Sequence, residues 1–176
     1  DRWLNNEKHY GGAARLDWRS NLQRAGALAS TLTPFMDTDW RREIVWIRPG
    51  LYVVRDVITA LADGRYTVNV SWRPSSQPKP DGAAWVVAER GAQLRITPLG
   101  EPWQVVAGEE EDRAWHKTSW NLRQCVTARL EHGESVAGIT VLQAEKTGTT
   151  PFYDARLVSS QEIILTTGAG KSSPIR

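Results

Sequence analysis

Three groups of side chains in this 176-residue sequence could do chemistry. The first is a row of guanidinium groups. Residues 65 to 73 alternate in character, and Arg65, Asn69 and Arg73 share the polar side of that alternation. Arg95, Arg123 and Arg129 fall on outward positions of other candidate strands. A guanidinium fork matches carboxylate and sulfate in two-pronged fashion, so a flat face bearing several of them suits an extended acidic sugar. The structural alternative is a charged exterior that keeps a sheet from pairing edge to edge. The second group is Trp115, His116 and Trp120, clustered with Lys117, Thr118, Ser119 and Asn121 just after the acidic segment 108–114. An indole face can lie against the C–H face of a pyranose while neighbouring donors read its hydroxyls, which is what a sugar cleft needs. Arg65, Asn69, Arg73, Trp115, His116 and Trp120 are therefore the candidate ligand-binding residues.

The third group is Arg41, Arg42, Arg55 and Asp56. In an extended conformation Arg42 lies with Ile44 and Trp46, and Asp56 with Tyr52, Val54 and Ile58. A carboxylate on an apolar face needs a cation, because an unpaired buried charge is very costly. The pattern predicts an Arg–Asp pair pinning a hairpin, with a ligand role as the alternative. Trp46 and Trp72 sit in apolar alternation and are expected in the core, and Cys125 reads as a small buried apolar residue.

The elements that must position these residues read as strands. Residues 40 to 48 and 51 to 58 are β-branched and aromatic runs around Pro49-Gly50, which predicts a hairpin. In residues 65–73, Tyr66, Val68, Val70 and Trp72 occupy one side and polar residues the other, the period of a strand covering a core on one face. Further candidates are Ala84 to Glu89, Gln93 to Pro98, Trp103 to Val106, Ser119 to Leu130, Val136 to Ala144, Tyr153 to Val158 and Glu162 to Thr166. With no crossover helix between them, the reading is all-β: an antiparallel two-sheet β-sandwich of about ten to twelve strands. A weak helical stripe at Arg19 to Leu28 is the one competing signal. Residues 74–83 and 108–114 read as surface loops. The expected organisation is an N-terminal extension over 1–12, the sandwich over 13–167 and a flexible tail over 168–176.

Composition narrows the function. Forty per cent apolar and 24% charged residues suit one domain with a core. Apolar runs are shorter than a membrane helix needs, and the first residues lack a signal-peptide pattern, so no membrane partner is expected. A net charge of +2 gives little drive toward nucleic acid. One cysteine and three histidines cannot assemble a Cys/His zinc cluster, and neither a phosphate loop nor a serine elbow is visible. No metal and no cofactor are expected. Nine tryptophans against two phenylalanines leave indole as the conspicuous resource.

The order Trp40-Arg41-Arg42, a short apolar strand, a turn, Tyr52 to Asp56, Val57 to Ala60, Asp63-Gly64 and the alternating strand Tyr66 to Trp72 resembles the β-sandwich that follows the catalytic helical domain in heparinase II/III-like polysaccharide lyases. Gln93 to Pro98, Trp115 to Trp120 and Val136 to Leu142 continue the likeness, which spans about residues 13–166. The resemblance implies a lyase-type supersandwich in a secreted or periplasmic bacterial protein. Its partners would be an acidic polysaccharide and an α-helical toroid that carries the chemistry. The sequence departs from that pattern in having no toroid and no histidine-rich segment at the start of the sandwich. The first expectation is therefore a carbohydrate-contacting module, not catalytic alone. The second is β-elimination within this chain, which needs a base beside the uronate carboxylate and donors for the enolate-like charge; His9, Tyr10 and His116 are the candidate groups. The third is a structural sandwich that docks against a helical domain.

Overall fold

A computed structural model describes residues 13–100, 104–110, 119–146, 153–159, 162–166 and 172–175. The described elements are β1 (Ala13–Asn21), β2 (Ala25–Phe35), β3 (Thr38–Ile47), β4 (Leu51–Ala60), β5 (Gly64–Trp72), β6 (Lys79–Asp81), β7 (Ala84–Glu89), β8 (Ala92–Leu99), β9 (Gln104–Glu110), β10 (Ser119–Leu130), β11 (Ser135–Lys146), β12 (Asp154–Ser159), β13 (Glu162–Thr166) and β14 (Ser172–Ile175). Among the described residues there is no helix. An eight-stranded sheet runs in the order β1-β2-β3-β4-β11-β8-β7-β6, and two three-stranded sheets run β5-β10-β9 and β12-β13-β14. Every pairing among the described strands is antiparallel.

The period of two in β4 explains the layering. Val53 packs with Ile139 and Val141 of β11 against Ile163 and Leu165 of β13. Ile58, of opposite parity, packs with Val68 and Val70 of β5 and Val126 of β10. Successive side chains of a strand leave on opposite faces, so the two small sheets cover opposite faces of the large one. A second patch, Val87, Ile96 and Leu122, extends the contact between the large sheet and β10, with Trp72 and Trp85 packed against it. The expected antiparallel sandwich is thus present, with a further small sheet on its other side.

Polar groups fix the register of these layers. Gln124, 1% exposed, accepts from Trp72 Nε1 at 3.1 Å and from Thr140 Oγ1 at 2.6 Å, and its Nε2 donates to the Ile139 carbonyl at 3.4 Å. It thereby ties β5, β10 and β11 together inside an apolar layer, where an unmet amide would be costly. Gln143 donates to the Tyr153 carbonyl at 2.8 Å and accepts from the Tyr153 amide at 2.6 Å, which anchors the chain as it enters β12.

The structure departs from the sequence reading at the start of the chain. Residues 19 to 28 form the end of β1, a turn and the beginning of β2, not a helix. The register of β1 shifts between Leu16 and Trp18, which breaks the alternation that would have betrayed a strand. β2 is rich in Ala, Gly and Thr, whose weak apolar contrast hides the period. Lys79–Asp81 forms β6 within the segment read as a loop, β9 runs on to Glu110, and Ser172–Ile175 forms β14 on β13.

Candidate functional site

The outer face of the β5-β10 pair is built by simple alternation. Val68, Val70, Leu122, Gln124 and Val126 turn inward and are buried. Arg65, Thr67, Asn69, Ser71, Arg123, Thr127 and Arg129 therefore turn outward and are exposed. Register then sets neighbours: Arg65 lies opposite Arg129, Thr67 opposite Thr127, Asn69 opposite Cys125 and Ser71 opposite Arg123. Two threonine hydroxyls share a 3.1 Å hydrogen bond in the middle of the face. Arg73 follows Trp72 directly beyond the strand and is exposed.

Charge on this face is one-sided. No aspartate or glutamate occupies an outward position of β5 or β10. Among the described residues Arg65, Arg123 and Arg129 make no ion pair or hydrogen bond. Two guanidinium groups directly opposite each other on neighbouring strands repel, so the Arg65–Arg129 pairing is unfavourable until an anion lies between or beside them. From Arg129 to Arg123 the strand advances by about 20 Å at ordinary strand rise, the reach of a short extended chain and not of one small ion.

The arginines of β3 and β4 behave differently. Arg42 Nε and Nη2 donate to the Asp56 carboxylate at 2.7 and 3.0 Å, and Trp40 Nε1 donates to the same carboxylate at 2.7 Å. The carboxylate is almost wholly buried, and the guanidinium stacks over the Trp72 ring at 5.6 Å from its centroid. The expected hairpin pin is therefore also a link between the large sheet and β5. On the opposite face of the large sheet, Glu43 accepts from Arg41 at 3.0 Å and from Arg55 at 2.9 Å. Asp17 accepts from Thr31 Oγ1 at 2.7 Å and from Arg15 at 3.0 Å, which together hold its carboxyl below the usual value of 3.8.

Of the residues expected at a ligand site, Arg65, Asn69 and Arg73 are exposed on the β5 side just described. Trp120 is half-buried, and its parity sets it with Leu122 and Gln124 on the inward side of β10, away from the arginines. Trp115, His116, His9 and Tyr10 lie outside the described residues. Arg95 is not an outward group: it is 15% exposed and reaches Asp81 and Asp154 at 3.5 Å, between β6 and β12. Cys125 is half-buried on the outer face of β10 and not in the core. Trp72 packs in the core as expected, whereas Trp46 belongs to none of the buried clusters. Among the described residues no group of three or more His, Cys, Asp or Glu side chains could hold a metal ion.

No protein-family model matches the chain, and no curated protein matches it. Solved structures do. Over 92% of its length the chain superposes on a "Heparinase III-BT4657 gene product" at a TM-score of 0.69 and 15% identity. Over 92% it also superposes on the heparan sulfate lyase HepC from Pedobacter heparinus at 0.68 and 17%. A third structure, a heparinase III, is matched over 93% at 0.65 and 13%. In each case the chain spans 27% of the matched protein's length. The chain thus has the β-sandwich fold of one domain of heparinase III and heparan sulfate lyase structures.

Proposed function

We propose that the chain is the carbohydrate-contacting sandwich of a heparinase II/III-like polysaccharide lyase, or a binding module of that descent, and that it holds acidic polysaccharide without performing catalysis alone. The observation that carries this reading is the outer face of β5 and β10, where Arg65, Arg123 and Arg129 lie exposed with no carboxylate on their own strands to neutralise them. An isolated folding unit gains nothing from opposing Arg65 to Arg129, whereas a polymer with carboxylates or sulfates along its length meets several forks at once. Thr67, Thr127, Asn69 and Ser71 between them supply hydroxyl and amide groups for sugar hydroxyls. The resemblance to the lyases supports the same reading: their names connect the fold with sulfated glycans, and a helical toroid elsewhere in a longer protein would carry the bond-breaking step. Such a polymer lies outside the cell, and the protein would act there or in the periplasm.

Retardation of the chain in gels containing heparin, alginate or polygalacturonate tests the proposal. Binding should weaken with salt, because exposed charges are screened within about 10 Å at ordinary ionic strength. Absence of retardation by every acidic polymer refutes it. The same incubations followed at the ultraviolet absorbance of unsaturated uronate test for catalysis. Product formed by the chain alone would instead assign it the elimination chemistry for which His9, Tyr10 and His116 are the candidates.

A further inference from the structure

The large sheet reaches beyond the small sheet β5-β10-β9 at β1, β2 and the Trp46 end of β3, whereas Trp40 at the other end of β3 packs against β5 and β10. Register sets one row across that overhang: Asn21 on β1, Gly26 on β2, Trp46 on β3 and Tyr52 on β4 all face the same way. Leu142 of β11 continues the row into the patch packed against Val87, Ile96 and Leu122. Tyr52 is 41% exposed while Val54, Asp56 and Ile58 farther along β4 are buried, so the cover does not extend to this end of the strand.

Trp46 is laid against the backbone of its cross-strand neighbour. Its six-membered ring lies directly on Gly26, and a Cβ at that position would fall inside the indole. Gly26 is buried beneath the ring while Trp46 itself remains half-exposed. Among the described residues neither Trp46 Nε1 nor the Tyr52 hydroxyl has a hydrogen-bond partner. On the far side of Gly26, Arg48 Nη2 donates to Asn21 Oδ1 at 3.4 Å, which brings a guanidinium to the end of the row without a carboxylate. An indole pinned on backbone, a phenol beside it, two polar tips with unmet hydrogen-bonding capacity and a cation at one end are together a preorganised surface.

We infer that Trp46, Tyr52 and Arg48 form a second glycan site, a stacking platform for a pyranose ring that carries a carboxylate or sulfate toward Arg48. The apolar C–H face of the sugar covers the indole, Trp46 Nε1 and the Tyr52 hydroxyl meet ring substituents, and the guanidinium reads the acid. The site lies on the large sheet and not on the outer face of β5 and β10, so the two are separable, although this inference rests on the reading of the chain as a polysaccharide-binding module. It differs from the arginine face in kind, since stacking survives salt that screens exposed charge.

The test is titration calorimetry of the full chain with heparin and alginate hexasaccharides, and with cellohexaose as a neutral probe, at low and high salt. Trp46→Ala and Tyr52→Ala should each weaken the acidic hexasaccharides several-fold, by about tenfold for Trp46, and the loss should persist at high salt. Trp46→Phe should recover part of it. Gly26→Ala, which displaces the indole without removing it, should act like Trp46→Ala. Arg48→Met should weaken the acidic probes and leave cellohexaose unchanged. If Trp46→Ala and Trp46→Phe bind as the parent does while Arg65→Ser/Arg129→Ser loses affinity, the platform is refuted and the arginine face stands. If the platform variants lose affinity and the arginine variant does not, the platform stands and the reading of the arginine face fails. Binding of no hexasaccharide overturns both. Sedimentation of a dimer that Trp46→Ala dissociates would also overturn the platform, by assigning the overhang to a second copy of the chain.

Discussion

The β3-β4 pair and the β5-β10 pair are both antiparallel ribbons bearing arginines, yet they use them in opposite ways. In β3 and β4 each guanidinium has a carboxylate: Arg42 has Asp56, and Arg41 and Arg55 share Glu43. In β5 and β10, Arg65 faces Arg129 across the strands and no acidic residue stands outward on either. The count of arginines on a sheet therefore says little about binding. What matters is whether the neighbouring strand returns the opposite charge, because a satisfied guanidinium fork has little left to offer a ligand.

The largest effect is expected at Asp56. Asp56→Ala leaves Arg42 against Trp72 without its carboxylate and removes the acceptor of Trp40 Nε1. A loss of about 3 kcal/mol is expected, at the low end for a buried pair because the guanidinium is about a third exposed. Urea unfolding measures it, and glycan binding by the folded fraction should be unaltered. The reverse behaviour belongs to Arg65→Ser/Arg129→Ser. About a tenfold loss of affinity for acidic polymers is expected from removing two such contacts, with stability unchanged or slightly raised because a like-charge pair is relieved. Calorimetry and the same urea curves check both halves.

A smaller effect should follow from Glu43→Gln. It neutralises the shared partner of Arg41 and Arg55, all three at least a quarter exposed. Pairs of that kind contribute between nothing and about 1 kcal/mol. The informative result would be a gain in binding to acidic polymers, since the substitution turns a paired face into one resembling the β5-β10 exterior.

The smallest expected effect is a pH response at Asp17. Its carboxyl is held low chiefly by the Thr31 hydroxyl and then by Arg15. A depressed native value means that the stabilisation is complete above the unfolded value of 3.8 and is lost as acid takes the pH down through the lower native value. Thr31→Val should move the titration of Asp17 upward, read from its carboxyl carbon by NMR. It should also weaken the dependence of stability on pH below that range.

Much of the fold was legible along the chain. Tyr66, Val68, Val70 and Trp72 gave the inward side of β5 by alternation alone, and the hairpin at Pro49-Gly50 followed from turn chemistry between two β-branched runs. An arginine partner for Asp56 followed from the cost of burying a carboxylate unaccompanied, and the β3-β4 register then made that partner Arg42 and not Arg41 or Arg55. β1 and β2 were not legible, because half-covered strands have no strong contrast between faces and a register shift interrupts the period. Arg95 looked like an outward residue because alternation gives a side but does not say what covers it; β6 and β12 supply Asp81 and Asp154 from far along the chain.

Which residues share a face was fixed along the chain alone, since the period of two is a property of the extended backbone and requires no partner. Alternation could not say which of two apolar-looking faces would be covered, nor for how many strands. Trp46 illustrates the limit: its alternation is that of a core residue, but the small sheet ends before reaching it, and only the tertiary fold laid its ring on Gly26 with one side left to solvent. Pairing in space is a long-range property, set by which strands meet and in what register, and it alone separated the guanidinium groups held by carboxylates from those left exposed without one.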